Sequence, residues 1–171
     1  MGTSHPESRP WIVNKIDVSG AETVLDVGAG SGTYSDALKR AGINLNIEAV
    51  EVWKPYIEEF DLENKYDKVY EQDIRDRTDF NYDVVIFGDI LEHMTEEEAL
   101  AVWDKVSKQA KNAVIAIPII HYHQPAINGN PYEEHITEDW TAEKVVDTFP
   151  GIVDSWIGNI VGAFWADFSD K

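Results

Sequence analysis

Residues 24–32 read Val24-Leu25-Asp26-Val27-Gly28-Ala29-Gly30-Ser31-Gly32, and this run decides the fold. An apolar strand breaks into three alternate glycines just before a helix-forming segment, roughly Thr33 to Ala41. Glycines at 28, 30 and 32 let the backbone take positive φ and let a ligand approach without meeting a Cβ. The helix that follows is expected to aim its free N–H groups at the same spot, where a nucleotide-like cofactor would sit. The spacing is G-x-G-x-G, with Thr33 at the place of the third glycine of the dinucleotide fingerprint, which weakens a pyrophosphate-binding reading.

Asp26 followed by G-x-G-x-G resembles motif I of the class I S-adenosylmethionine (SAM)-dependent methyltransferases, in which an acidic residue precedes the glycines. Downstream, Ile47 to Val52 alternates as a second strand and ends on Glu51. In a doubly wound sheet the carboxyl end of that strand faces the cofactor crevice. Alone, Glu51 reads as a solvated strand-end carboxylate; beside motif I, the resemblance implies that it accepts both ribose hydroxyls. The segment Asp67-Lys68-Val69-Tyr70 leads into Glu71-Gln72-Asp73-Ile74 and resembles the third strand of the family. Asp73 is then the carboxylate implied to accept from the adenine amino group. Taken together, the resemblance implies cofactor contacts from Asp26, Gly28, Ala29, Gly30, Gly32, Glu51, Val52, Asp73, Ile74 and Asp89.

Tyr82 to Gly88 is a continuous apolar run of strand length, suited to a central parallel strand buried on both faces. It closes on Asp89-Ile90-Leu91-Glu92-His93-Met94, similar to the D-x-x-E-H-M segment after the fourth strand of many small-molecule methyltransferases. Thr95 and Glu98 make a capping box, so a helix is expected from Thr95 to about Ala110. The reaction implied by the resemblance is an in-line displacement at the sulfonium methyl, releasing S-adenosylhomocysteine, and alignment with exclusion of water is the main task of the protein. The catalytic candidates are His93, Asp89 and His135. For a hydroxyl acceptor His93 is the first choice of base, because imidazole titrates near neutrality; the competing reading is that it only orders the loop. Asp89 is expected to shape the methionine end of the cofactor or the substrate entrance.

Asp89, Glu92 and His93 are spaced i, i+3, i+4. A subset of the family, including RNA 2′-O-methyltransferases and quinone O-methyltransferases, carries E-x-x-E-H and binds a divalent cation there, with a downstream histidine able to complete the site. Here the first position is Asp89, one methylene shorter, and metal-free methyltransferases also carry D-x-x-E-H. A metal is therefore the less favoured reading, with Glu92, His93 and His135 as its candidate ligands.

Ala113 to Ile119 reads as a fifth strand with Pro118 near its exit. The segment 120–140 that follows is rich in His, Tyr, Pro, Asn and Glu, and a polar loop of that length inside a domain is more often functional than idle. It is expected to form a substrate-side lid carrying His121, Tyr122, His123 and Tyr132. His121 and His123 are expected to point to opposite sides. Thr141 can cap a helix through about Phe149, and Ile152 to Ile157 and Ile160 to Phe168 read as a closing hairpin around Gly158-Asn159. Strand and helix thus alternate five times and end on a hairpin, which implies an α/β, doubly wound, Rossmann-like, mostly parallel sheet. The resemblance runs from Ala21 onward and implies the strand order 3-2-1-4-5-7-6. Residues 1–20 are expected to be a leader or cap over the cofactor pocket, ahead of a single methyltransferase domain spanning 1–171.

Composition agrees with one enzyme domain: 171 residues, 43% hydrophobic, can bury a sizeable core. No apolar stretch nears the roughly 20 residues that span a bilayer, and no signal-peptide layout opens the chain, so a cytoplasmic location is expected. Cysteine is absent, which excludes disulfides, thiolate metal sites and a cysteine nucleophile. A formal net charge of −18 would repel a phosphate backbone, so nucleic acid is not expected as a partner, and with no bilayer-spanning stretch neither is a membrane. The favoured function is methylation of O, N or a carboxylate on a small-molecule acceptor. Competing readings are another SAM- or nucleoside-using enzyme on the same fold, a non-catalytic SAM-binding protein and, more distantly, a nicotinamide-dependent dehydrogenase. The sequence leaves the acceptor and the oligomeric state open. Tryptophans 53, 103, 140, 156 and 165 are expected mainly in the core.

Overall fold

Seven strands form one sheet in the order β3-β2-β1-β4-β5-β7-β6: β1 (Thr23–Val27), β2 (Asn46–Glu51), β3 (Lys68–Glu71), β4 (Val84–Gly88), β5 (Asn112–Pro118), β6 (Ile152–Ile157) and β7 (Val161–Asp167). The computed structural model describes residues 4–169, so the first three residues of the expected leader and the last two of the chain lie outside the described residues. β1 pairs in parallel with β2 and β4, β2 with β3, and β4 with β5. β7 runs antiparallel between β5 and β6. This is the doubly wound, Rossmann-like α/β order that the resemblance implied.

Period-two alternation on β4 builds both cores. Val85 and Phe87 face one layer with Trp103, Phe149 and Phe164, beneath α5 (Glu96–Ser107) and α6 (Ala142–Thr148). Val84 and Ile86 face the other, with Ile12, Ile16 and Leu38 from α1 (Arg9–Ser19) and α2 (Thr33–Arg40). Side chains on successive strand residues point to opposite faces, so a strand apolar throughout must be covered on both sides. Trp103 packs its ring against Phe149 at 5.3 Å and Phe168 at 5.6 Å, and its indole N–H donates to the Pro150 carbonyl at 3.0 Å. Trp140 and Trp165 are also buried, whereas Trp53 and Trp156 are only half-buried.

Helix boundaries follow local chemistry. The Thr95 hydroxyl accepts from the Glu98 N–H and the Glu98 carboxylate accepts from the Thr95 N–H, the capping box expected at the start of α5. Thr141 caps α6 through the Lys144 N–H. One expectation needs correction. The link between β2 and β3 carries two short helices, α3 (Lys54–Glu59) and α4 (Leu62–Lys65), in line with the expected alternation though too short for the sequence to show a period. The link from β3 to β4 carries only one 3-10 turn, Ile74–Asp76, so strand and helix do not alternate there. That stretch is crowded with Asp and Arg and buries Ile74 and Phe80 without an apolar stripe to support a longer helix. Among the described residues no helix is long and apolar enough to cross a membrane.

Candidate active site

A cleft of about 300 Å³ opens at the carboxyl ends of β1, β2 and β4. In a doubly wound sheet this is where the strand order reverses and the loops splay apart. Gly28, Gly30, Glu51, Val52, Asp73, Ile74 and Asp89, all singled out in the sequence, line it. The chain leaves β1 through Gly28 at φ 66°, and a Cβ there would lie 1.9 Å from Ile90 Cδ1. Gly28 is therefore required by the neighbouring loop as well as by its backbone conformation.

Glu51 organises the floor. Its Oε2 accepts the Gly30 N–H at 2.9 Å and its Oε1 accepts the Trp53 N–H at 2.8 Å. Burial pushes its carboxyl up, against the pull of those N–H donors. Each oxygen keeps a further lone pair for a donor in the cleft. Asp73 is held below the usual carboxylate range by hydrogen bonds from the Arg75 side chain, at 2.6–3.1 Å, and accepts the Arg75 N–H at 2.9 Å as well. Arg75 also lines the cleft and pairs with Glu98 at 2.9 Å. The sequence reading missed Arg75, although an Asp two residues ahead of an Arg at a turn is a visible pairing signal.

Several expected contacts fall elsewhere. Asp26, Ala29 and Gly32 do not line the cleft. Asp26 sits one residue before the end of β1 with its side chain on the Val24 face, where the Tyr66 hydroxyl donates to its Oδ2 at 2.5 Å. Burial raises its carboxyl to about 7. Gly32 is the residue just before α2, and Lys65 packs over it while donating to the Ser31 carbonyl at 2.8 Å. No residue of α2 lines the cleft.

The leader closes one side. Ser4 and His5 line the cleft, and the His5 N–H donates to Asp89 Oδ2 at 2.7 Å. Glu7 accepts N–H groups from Asn159, Ile160 and Val161 at the β6–β7 turn, which fixes the segment against the sheet. Asp89 itself adopts φ 55°, uncommon for a residue with a Cβ. Burial lifts its carboxyl to about 6.

The lid lies over the loop after β4. The Glu92 carbonyl accepts the Ile136 and Thr137 N–H groups at 2.8 and 3.0 Å, and the Thr137 hydroxyl donates to the Met94 carbonyl at 2.9 Å. Tyr122, Tyr132 and His135 line the cleft together with Glu92 and His93, and Tyr132 reaches the Trp53 ring at 6.3 Å. His121 and His123 do not. Both turn outward on the same side, to Asp139 at 2.8 Å and Glu138 at 2.6 Å respectively. In an extended segment residues i and i+2 share a face, so the expectation of opposite sides is corrected, and Tyr122 and Gln124 take the inward face instead.

Glu92 is almost fully buried, and neither carboxylate oxygen has a hydrogen-bond partner. Its carboxyl is pushed well up, first by burial and then by Asp89. Burial holds the His93 imidazole down at about 4 and lowers His135 as well. The two rings meet edge to face at 4.9 Å. This end of the cleft therefore presents two neutral imidazoles and an unpaired acid.

Comparison with known proteins agrees with this geometry. A family model described as a methyltransferase domain matches residues 25–115. No curated protein matches the chain. Among solved structures, a SAM-dependent methyltransferase from Clostridium acetobutylicum superposes with TM-score 0.70 at 13% identity, covering 93% of this chain and 89% of that one. The N-terminal domain of EvdMO1, crystallised with S-adenosylhomocysteine, gives 0.66 at 12% identity, covering 96% and 82%. The mitomycin 7-O-methyltransferase MmcR gives 0.69 at 15% identity, covering 94% of this chain but only 53% of that one. The chain thus spans about half the length of several structures it resembles.

Proposed function

We propose, because this chain belongs to the methyltransferase domain family, that it transfers the methyl group of SAM to an oxygen, nitrogen or carboxylate of a small-molecule acceptor. The observation that carries the reading is the cleft at the strand ends, with Glu51 poised over the glycine turn and a separate pocket end built by Glu92, His93 and His135. Glu51 is assigned to the ribose, and Asp73 with Arg75 to the adenine side. Gly28 and Gly30 leave room for the cofactor backbone. Asp89 and the leader at His5 are assigned to the methionine end.

In the transfer, a lone pair on the acceptor forms a bond to the methyl carbon as the carbon–sulfur bond breaks, and S-adenosylhomocysteine leaves. The sulfonium is already electrophilic, so alignment and exclusion of water supply most of the acceleration. Neutral His93 and His135 can take a proton from a hydroxyl acceptor. With basicity this low at His93, holding the acceptor in line is the larger contribution. The lid and the leader would cover an acceptor from two sides, which supports a small molecule, as does the net charge of −18 against a nucleic acid.

The test is S-adenosylhomocysteine formation from SAM across a panel of phenols, alcohols, amines and carboxylic acids. Release that depends on an acceptor is expected. Acceptor-independent breakdown of SAM, or tight binding with no turnover on any class, would contradict the reading.

A further inference from the structure

We propose that Arg75 is a positioning residue for the cofactor base: its guanidinium fixes the Asp73 carboxylate so that it accepts one further hydrogen bond, which selects a 6-amino over a 6-oxo purine. Both residues line the cleft. The inference rests on the proposed SAM site, in which Asp73 faces the adenine.

The turn after β3 brings the two side chains together. Asp73 stands just ahead of the 3-10 turn Ile74–Asp76, and its Oδ1 accepts the Arg75 backbone N–H at 2.9 Å. The Arg75 Nε–H is shared between Oδ1 at 2.9 Å and Oδ2 at 3.1 Å, and Nη2 donates to Oδ2 at 2.6 Å. A guanidinium is a rigid planar fork, so this pairing sets the plane of the carboxylate as well as balancing its charge. An ionised carboxylate has about four lone-pair positions. Three hydrogens of Arg75 already occupy this one. Room is left for one more donor and for no group that only accepts. Adenine brings a 6-amino N–H, whereas a 6-oxo base sets its carbonyl oxygen against the carboxylate.

Arg75 is in turn held from α5. Its Nη1 donates to Glu98 Oε1 at 2.9 Å, while Glu98 Oε2 accepts the Thr95 N–H at 2.9 Å. Lys105, farther along α5, donates to the Arg75 and Arg77 carbonyls at 2.8 and 3.2 Å and so anchors the backbone of the turn. The Asp73–Arg75 pair is partly exposed, with side chains 23% and 39% accessible. An exposed pair adds little to stability, so loss of Arg75 is read at the ligand rather than in folding.

The experiment is calorimetric titration of the full-length protein with S-adenosylhomocysteine and with its 6-oxo counterpart, S-inosylhomocysteine. The samples are the parent, Asp73→Ala, Arg75→Ala, Arg75→Lys and the Asp73→Ala/Arg75→Ala double variant. We expect the parent to favour S-adenosylhomocysteine at least tenfold, because a site built around an N–H donor rejects the analogue lacking it. Arg75→Ala should lose most of that preference, and so should Arg75→Lys, which keeps the charge without the fork. The double variant should bind S-adenosylhomocysteine as Asp73→Ala does, since Arg75 acts through Asp73. Equal weakening of both ligands in Arg75→Ala, full selectivity in Arg75→Lys or additive losses in the double variant would overturn the role of Arg75 and leave the SAM site standing. Failure of the parent to bind either ligand would overturn the SAM site with it.

Discussion

Glu51 grips the glycine turn through the Gly30 N–H, 2.9 Å from Oε2. A residue at the end of β2 thereby sets the shape of the loop after β1, and the two strands are neighbours in parallel register. The same carboxylate accepts the Trp53 N–H through Oε1. Glu51→Ala removes the acceptor for both donors and the proposed ribose contact together. We expect SAM affinity to fall at least tenfold, about 1.4 kcal/mol or more, in a protein that still folds. Calorimetric titration of parent and variant checks it.

Gly28 faces Ile90 from the loop after β4, and a Cβ would stand 1.9 Å from that side chain at a φ of +66°. Gly28→Ala is therefore expected to destabilise by about 2 kcal/mol or more and to distort the turn. Adding Ile90→Ala should recover part of the loss by making room, but not the part due to φ. Denaturant unfolding of the single and double variants separates the two.

Asp26 is buried against Tyr66 and its carboxyl is raised to about 7 by burial. In the unfolded chain the group ionises near 4. Between those values the unfolded state has lost its proton and the folded state has kept it, so the folded state loses relative stability as pH rises from about 4 to about 7. Asp26→Asn abolishes this contribution while keeping an oxygen for the Tyr66 hydroxyl. The variant should gain on the parent protein by up to about 4 kcal/mol across that window, measured by denaturant unfolding at pH 4.5 and 8.

Glu7 ties the leader to the β6–β7 turn through three N–H donors, which also hold its carboxyl below the usual range. The rest of α1 stays anchored by buried Ile12 and Ile16. Glu7→Ala should thus release residues 4–8 without unfolding the domain. Faster amide hydrogen exchange in that segment and a several-fold faster dissociation of S-adenosylhomocysteine are expected.

Much of this was readable in the sequence because it depends on short-range pattern. The fully apolar run before Gly88 can only be a strand covered on both faces, and Thr95 with Glu98 announces the start of α5. Residues at strand ends, such as Glu51, could be placed in the cleft once the strand order was granted. What escaped the sequence depends on pairing across the chain. Asp26 faces Tyr66, and nothing local marks a partner so distant, although alternation from Val24 shows that its side chain points away from Leu25 and Val27. The His5 N–H reaches Asp89, a contact only the folded leader reveals. That His121 and His123 share a side was readable, since residues two apart in extended chain lie on one face; that this side turns away from the cleft, to Asp139 and Glu138, was not, and the expectation of opposite sides missed both.

The most direct test of the cofactor assignment is calorimetric titration of the intact protein with S-adenosylhomocysteine, repeated on Glu51→Ala. We expect binding at one equivalent with micromolar affinity, weakened at least tenfold in the variant. No binding to the intact protein, or equal affinity in Glu51→Ala, would contradict the cleft as the SAM site.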